Sequence, residues 1–111
     1  MRLIACIVGL FIAAVSVDTR ADRLVYIGTY TGEASKGIYA FHFDEESGAL
    51  SPIGLVAETP SPSFLTASAN GRFVFAVNEL QTFGGAASGS VTSFAVDPSS
   101  ARLTEINVQP T

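Results

Sequence analysis

An all-β protein is predicted by three observations. Beyond Arg23 the apolar residues show no helical period. Seven short segments rich in β-branched and aromatic residues follow one another, punctuated by Gly, Pro, Asn and Asp. The chain also repeats itself: Gly37–Ile53, displaced by 53 residues, lies over Ser90–Ile106. Ile38 meets Val91, Phe41 meets Phe94, Asp44 meets Asp97, Ser47 meets Ser100 and Leu50 meets Leu103. The preceding segment repeats at a shift near 49, with Val25-Tyr26-Ile27-Gly28 over Val74-Phe75-Ala76-Val77. A unit of about 50 residues and four strands has the size of a propeller blade, so a β-propeller of about two blades is expected.

The elements follow in order. Residues 24–30 are dense in Val, Tyr, Ile and Thr and end at Thr31-Gly32. Residues 37–43 place Tyr39, Phe41 and Phe43 on one face, and Asp44-Glu45-Glu46-Ser47-Gly48 then turns the chain. Gly48 is free to take positive φ there. Residues 49–56 read as an edge strand, because Pro52 cannot donate to a ladder. Pro60-Ser61-Pro62-Ser63 is a rigid connector. Strands 64–68 and 73–78 flank a tight turn with Asn70-Gly71 at its centre. Residues 90–97 and 102–108 complete this blade, whereas 24–56 make three strands of another. Propellers close their ring with roughly 4–8 blades, so two blades are expected to be the amino-terminal part of something longer.

The first residues read as an address. Met1 and Arg2 precede a thirteen-residue apolar run, Leu3–Val15, and then Ser16, Asp18 and Arg20. That is the pattern of a secretory signal peptide. The run is too short for a membrane anchor, which needs about 20 apolar residues. Small residues permit cleavage after Ser16 or after Ala21, and the second is favoured because a strand starts just beyond it. Leu3-Ile4-Ala5-Cys6 imitates a lipoprotein box too close to Met1 to be one. The expected division is thus a signal peptide at 1–21 and propeller blades at 22–111, in a periplasmic or secreted protein.

Composition narrows the function classes. The 111 residues are 48% hydrophobic and 14% charged, with a net charge of −4. Six basic residues without a cluster, against ten acidic ones, make nucleic acid an unexpected partner. The single cysteine precludes a disulfide framework or a cysteine metal site, and cleavage at residue 21 would remove it.

Taken in order, Val25-Tyr26-Ile27-Gly28-Thr29-Tyr30-Thr31, Lys36-Gly37-Ile38-Tyr39, Pro62-Ser63-Phe64-Leu65 and Asn70–Glu79 resemble the opening blades of the seven-bladed propeller lactonases. Val91-x-x-Phe94-x-Val96-Asp97 with Leu103-Thr104 belongs to the same pattern. These proteins are similar to the propeller-type 6-phosphogluconolactonases. The resemblance implies hydrolysis of a sugar lactone, with catalytic groups in later blades that this sequence lacks, and no cofactor or metal is expected. A non-catalytic propeller that binds a ligand or protein is the alternative, since fold does not imply function.

Lactone hydrolysis needs an activated water and a donor for the developing oxyanion. Asn78 and Glu79 end a strand on the same side as the connector 60–63, where they either bind substrate hydroxyls or cap the strand. The only histidine, His42, reads as packed or interblade. Arg72 reads as a solvated turn residue on the opposite side. Asp44-Glu45-Glu46 lacks the alternating oxygen ligands of a cation loop and reads as a turn. Gly84–Gly89 lacks the Lys-Ser/Thr ending and helix of a phosphate loop. Phe41, Phe43, Phe73, Phe75 and Phe94 are expected to pack between blades. Two blades share one interface and leave two apolar faces in water, so poor stability of these residues alone is expected.

Overall fold

The computed structural model describes the backbone of residues 8–9, 12–18 and 23–111, with side chains from residue 23 onward. The described residues form nine strands: β1 (Val8–Gly9), β2 (Ile12–Asp18), β3 (Arg23–Gly28), β4 (Gly37–Phe43), β5 (Leu50–Glu58), β6 (Pro62–Ala67), β7 (Phe73–Asn78), β8 (Ser90–Val96) and β9 (Leu103–Pro110). They form two antiparallel sheets, ordered β1-β2-β3-β4-β5 and β6-β7-β8-β9. The described residues contain no helix.

The second sheet is the expected four-stranded blade. Its β7–β8 register runs from Phe73 opposite Ala95 to Asn78 opposite Ser90. The β6–β7 turn closes with Ser68 N–H donating to Phe73 O at 2.9 Å, and Gly71 adopts φ +72°. The first sheet departs from expectation: five strands stand where three were predicted. β2 pairs with β3 from Ala13 opposite Gly28 to Asp18 opposite Arg23, holding beside β3 the place that β6 holds beside β7. An unpaired strand edge displays N–H and C=O groups that need partners, and the Ile12–Asp18 segment supplies them. The signal-peptide expectation for residues 1–21 falls partly outside the described residues.

Smaller differences have local causes. β3 ends at Gly28, two residues early, because the Thr29 hydroxyl turns to donate to Gly37 O at 2.8 Å. Pro62 and Ser63 belong to β6, so the connector is only residues 59–61. Proline is tolerated there because it opens an edge strand. β5 lies at an edge as expected, with Pro52 opposite Phe41 and register shifts between Ile38 and Tyr39 and between Ala40 and Phe41.

The sheets pack face to face. Leu24, Tyr26, Ile38, Ala40 and Val56 of the first meet Leu65, Val74, Ala76, Phe94 and Leu103 of the second in one core, with Ala101 from the β8–β9 turn. Tyr26 crosses the interface, and its hydroxyl donates to Ala101 O at 2.8 Å. Burial, and secondarily the Asp97 carboxylate, pushes the Tyr26 hydroxyl far above its ordinary pKa, so it remains a donor. β3 approaches β6 closely at Gly28, where a Cβ would lie 2.1 Å from Pro62 O. Glycine there is a steric requirement.

Of the five phenylalanines expected between blades, only Phe94 is buried. Phe41, Phe43, Phe73 and Phe75 are half-buried on the two outward faces. His42 shares the strand face of Ile38 and Ala40 but lies beyond the covered area and is exposed, which corrects the packed reading.

Candidate functional site

The connector 59–61, the β3–β4 loop 29–36 and the β7–β8 loop 79–89 share one end of the sheets. The hairpin turns 44–49, 68–72 and 97–102 occupy the other. The expectation that the Asn78–Glu79 segment lies with the connector therefore holds: Glu79 N–H donates to Ser61 O at 2.9 Å.

Asn78 and Glu79 part company there because successive strand side chains point to opposite faces. Asn78 is buried, and its amide is fully engaged. Nδ2 donates to Thr59 Oγ1 at 2.9 Å and to Pro60 O at 2.6 Å. Oδ1 accepts from Ser90 Oγ at 3.1 Å and Thr92 Oγ1 at 2.6 Å. A primary amide has two protons to give and about four contacts in all, so this one has none left for a ligand. Asn78 ties the connector to β8 and thereby fixes the start of the loop that carries Glu79.

Glu79 is exposed. Its Oε1 accepts from the Tyr30 hydroxyl at 2.6 Å, a contact that spans the two sheets. Hydrogen bonds from Tyr30, and then from Ser63, hold the carboxyl below the usual carboxylate range. The same Glu79 bond, followed by minor desolvation, raises the Tyr30 hydroxyl. Glu79 is thus an ionised acceptor at neutral pH, and Tyr30 a neutral donor.

The backbone under this pair is tightly determined. Ser61 N–H donates to Thr31 Oγ1 at 2.6 Å, and Thr31 N–H donates to Ser61 Oγ at 3.3 Å. Thr31 Oγ1 in turn donates to Thr59 O at 3.3 Å. Ser61 adopts φ +40°, uncommon for a residue with a side chain, and its carbonyl accepts from both Ser63 and Glu79. Such strain persists only where surrounding contacts over-determine the backbone. Tyr30 and Ser63 were missed as site residues because their role depends on a partner 49 and 16 positions away in the chain.

The remaining sequence candidates lie elsewhere. Arg72 sits in the opposite turn, its guanidinium 6.0 Å from the Phe73 ring centre. Glu45 is ion-paired with Arg23, and Glu46 N–H donates to Asp44 Oδ1 at 2.9 Å, so that segment is a turn. Gly84 and Gly85 both take positive φ at a hairpin tip closed by Phe83 and Ala86. Among the described residues, no three His, Cys, Asp or Glu side chains gather as a metal site.

The sequence and fold are similar to those of known proteins. The family model described as lactonase, seven-bladed β-propeller, matches residues 24–111. The 6-phosphogluconolactonase of Bacillus subtilis is 33% identical over 84 residues, covering 76% of this chain and 23% of that protein. A crystal structure of a candidate 6-phosphogluconolactonase from Bacteroides uniformis superposes with a TM-score of 0.73 at 37% identity, covering 83% of this chain and 25% of the other. The periplasmic gluconolactonase PpgL of Pseudomonas aeruginosa gives a TM-score of 0.65 at 38% identity, over 78% and 24% of the two chains. The chain thus spans about a quarter of the length of these relatives. With two packed antiparallel sheets, an internal repeat and a family match across residues 24–111, the chain belongs to the seven-bladed β-propeller lactonases.

Proposed function

We propose that the protein carrying this chain is an exported sugar-lactone hydrolase, and that these two blades supply part of its substrate-binding mouth. The observation that carries the reading is the cross-sheet Tyr30–Glu79 pair, held on a strained and fully bonded connector in a chain of lactonase ancestry. Hydrolysis requires water to attack the lactone carbonyl carbon and a donor to receive the oxyanion before the ring C–O bond breaks. Glu79 fits neither role well. A carboxylate stabilised in its ionised form is a weak base and, at neutral pH, no acid. It is well suited to accept hydrogen bonds from substrate hydroxyls, with Asn78 as the buried support behind it. His42, Arg23, Arg72 and Arg102 lie toward the opposite end, so the catalytic acid–base groups belong to other blades.

The test is hydrolysis of gluconolactone by the protein carrying this chain, beside residues 22–111 alone. Turnover is expected from the first and none above background from the second, because a channel needs walls on every side. The alternative, a ligand-binding propeller without activity, is favoured by the distance of His42 and the arginines from Glu79, and absence of turnover in both samples would support it. Export has its own check. The periplasmic relative supports a leader at residues 1–21, whose removal would take β1 and β2 from the first sheet and leave the β3 edge to another strand, and amino-terminal sequencing of the exported protein should begin near Asp22. Recovery of Met1 would overturn that part.

A further inference from the structure

Three asparagines occur in the sequence, and their surroundings differ. Asn78 is buried with its amide fully bonded, and Glu79 follows it. Asn107 lies in β9 opposite Ser93, followed by the β-branched Val108. Asn70 is exposed in the β6–β7 turn and is followed by Gly71. An asparagine side chain is open to one intramolecular reaction, because the next residue's amide nitrogen is close enough to attack its carbonyl carbon and close a small ring. A side chain on that next residue crowds the nitrogen, and glycine has none.

The fold sets where the Gly71 nitrogen points. Gly71 N–H donates to Ser68 O at 2.9 Å. Asn70 Oδ1 accepts from Ser68 Oγ at 2.7 Å and from Arg72 N–H at 3.0 Å. Ser68 is itself fixed, since its N–H donates to Phe73 O at 2.9 Å and its Oγ accepts from Phe73 N–H at 3.1 Å. One residue thus holds both reacting groups, the nitrogen through its carbonyl and the amide through its hydroxyl. Attack requires the Gly71 nitrogen to give up its proton and its peptide plane to rotate toward Asn70 Cγ. Both are opposed while that N–H is bonded to Ser68 O.

We propose that Asn70 is a site of spontaneous deamidation, and that Ser68 is the clasp that keeps it shut in the folded chain. When the turn opens, Gly71 N loses its proton to solvent hydroxide and bonds to Asn70 Cγ. The Cγ–Nδ2 bond breaks, and the leaving nitrogen takes a proton from water and departs as ammonia. Water then opens the resulting succinimide at either carbonyl, giving aspartate or isoaspartate at position 70. The two products differ in consequence. Aspartate keeps an oxygen for Ser68 and Arg72, so the turn survives with one more negative charge. Isoaspartate runs the main chain through the side-chain carbons, which lengthens it by one methylene and draws Gly71 N–H off Ser68 O. The β6–β7 hairpin then loses its closing turn, so the second sheet carries a device by which it ages. The proposal does not depend on the activity assigned above.

The test is the rate of acid formation at each asparagine, read by mass spectrometry of peptides from the protein carrying this chain. Samples are incubated at mildly alkaline pH, native and in urea. In urea every turn is open, and Asn70 should convert well ahead of Asn78 and Asn107. In the native protein Asn70 should convert at least about tenfold more slowly than in urea, the protection that one or two hydrogen bonds provide. Ser68→Ala removes the hydroxyl and should raise the native rate by about tenfold while leaving the rate in urea unchanged. Ser68→Thr, which keeps the hydroxyl, should retain the slow rate. An aged native sample should carry isoaspartate at position 70 together with a lowered unfolding midpoint, whereas Asn70→Asp should unfold like the unaged protein. If Ser68→Ala unfolds the whole chain, conversion at buried Asn78 rises as well, and the native-to-urea ratio with Ser68→Thr then decides. Equal rates at Asn70 in the native protein and in urea would overturn the clasp, as would a native rate that Ser68→Ala leaves unmoved. Absence of acid at position 70 in urea, or conversion of Asn107 as fast as Asn70 there, would overturn the site itself.

Discussion

The two sheets are copies of one pattern, yet they bury opposite faces of it. Leu24, Tyr26, Gly28, Ile38 and Ala40 are buried, whereas their repeat equivalents Phe73, Phe75, Val77, Val91 and Ser93 are half-buried or exposed. The relation inverts on the other face, where Val74, Ala76, Thr92 and Phe94 are buried and Val25, Ile27, Tyr39 and Phe41 are half-buried. Head-to-tail packing of repeated units has this consequence, because the front of one copy meets the back of the next. Equal sequence patterns therefore carry unequal energetic weight, and substitutions at equivalent positions should separate the two sheets.

The largest contrast is expected at Gly28 and its equivalent Val77. Gly28→Val places a Cβ against the Pro62 backbone and should cost about 3 kcal/mol or more, whereas Val77→Ala on the exposed face should cost under about 1 kcal/mol. Denaturant midpoints of the two variants check this; equal shifts would remove the contrast.

Asn78 comes next. Asn78→Ala leaves Pro60 O and three hydroxyls without their partner and should lower stability by about 2–3 kcal/mol. Its equivalent Thr29 makes one side-chain bond, to Gly37 O, so Thr29→Ala should cost about 1 kcal/mol. Thermal unfolding of both variants orders them.

Tyr26→Phe removes the donor from buried Ala101 O and should cost about 1–2 kcal/mol. Phe75, the equivalent, is half-buried with no cross-sheet counterpart to that bond, and Phe75→Tyr should change the midpoint little.

The turns that close the repeats give a smaller effect. Gly48 at φ +78° and Ala101 at φ +69° are equivalents, each donating its N–H back to an aspartate carbonyl, Asp44 or Asp97. Gly48→Ala should cost about 1 kcal/mol in an open turn. Ala101→Gly gains a comparable conformational relief but gives up a buried methyl, so its unfolding midpoint should stay nearly unchanged.

The smallest effect concerns pH. Glu79 has a lowered carboxyl pKa, so its contribution is present above the ordinary value of 4.5 and is lost as pH falls through the lowered one. Tyr30 is raised, so its contribution is present below 10.0 and is lost as pH rises through the raised value. Unfolding midpoints followed through both limbs should flatten in Glu79→Gln, which removes the charge that links them.

Much of this was legible in the residues. The 37–43 strand has the predicted bounds because β-branched and aromatic alternation between two turn signals leaves one solution. Pro52 announced an edge strand, and the pairing of Asp44 with Asp97 announced two identical turns. Glu79 was legible as a strand-end polar residue near the connector, but Asn78 beside it was not separable by type. The one available signal was alternation, which sends adjacent strand residues to opposite sides and puts Asn78 opposite Ser90 with Thr92 two residues on.

Local pattern, then, determined strand number in the repeat, turn chemistry and the family, because those depend on neighbours within a few residues and on a period that survives displacement along the chain. Tertiary structure decided which face of each copy is buried, that Gly28 must lack a side chain, that the Ile12–Asp18 strand fills the edge of β3, and that Tyr30 meets Glu79. Each of these is a contact between segments far apart in the chain or a choice between two apolar faces. Periodicity is blind to both, since a strand with apolar residues on either side reads the same whichever side its neighbour covers.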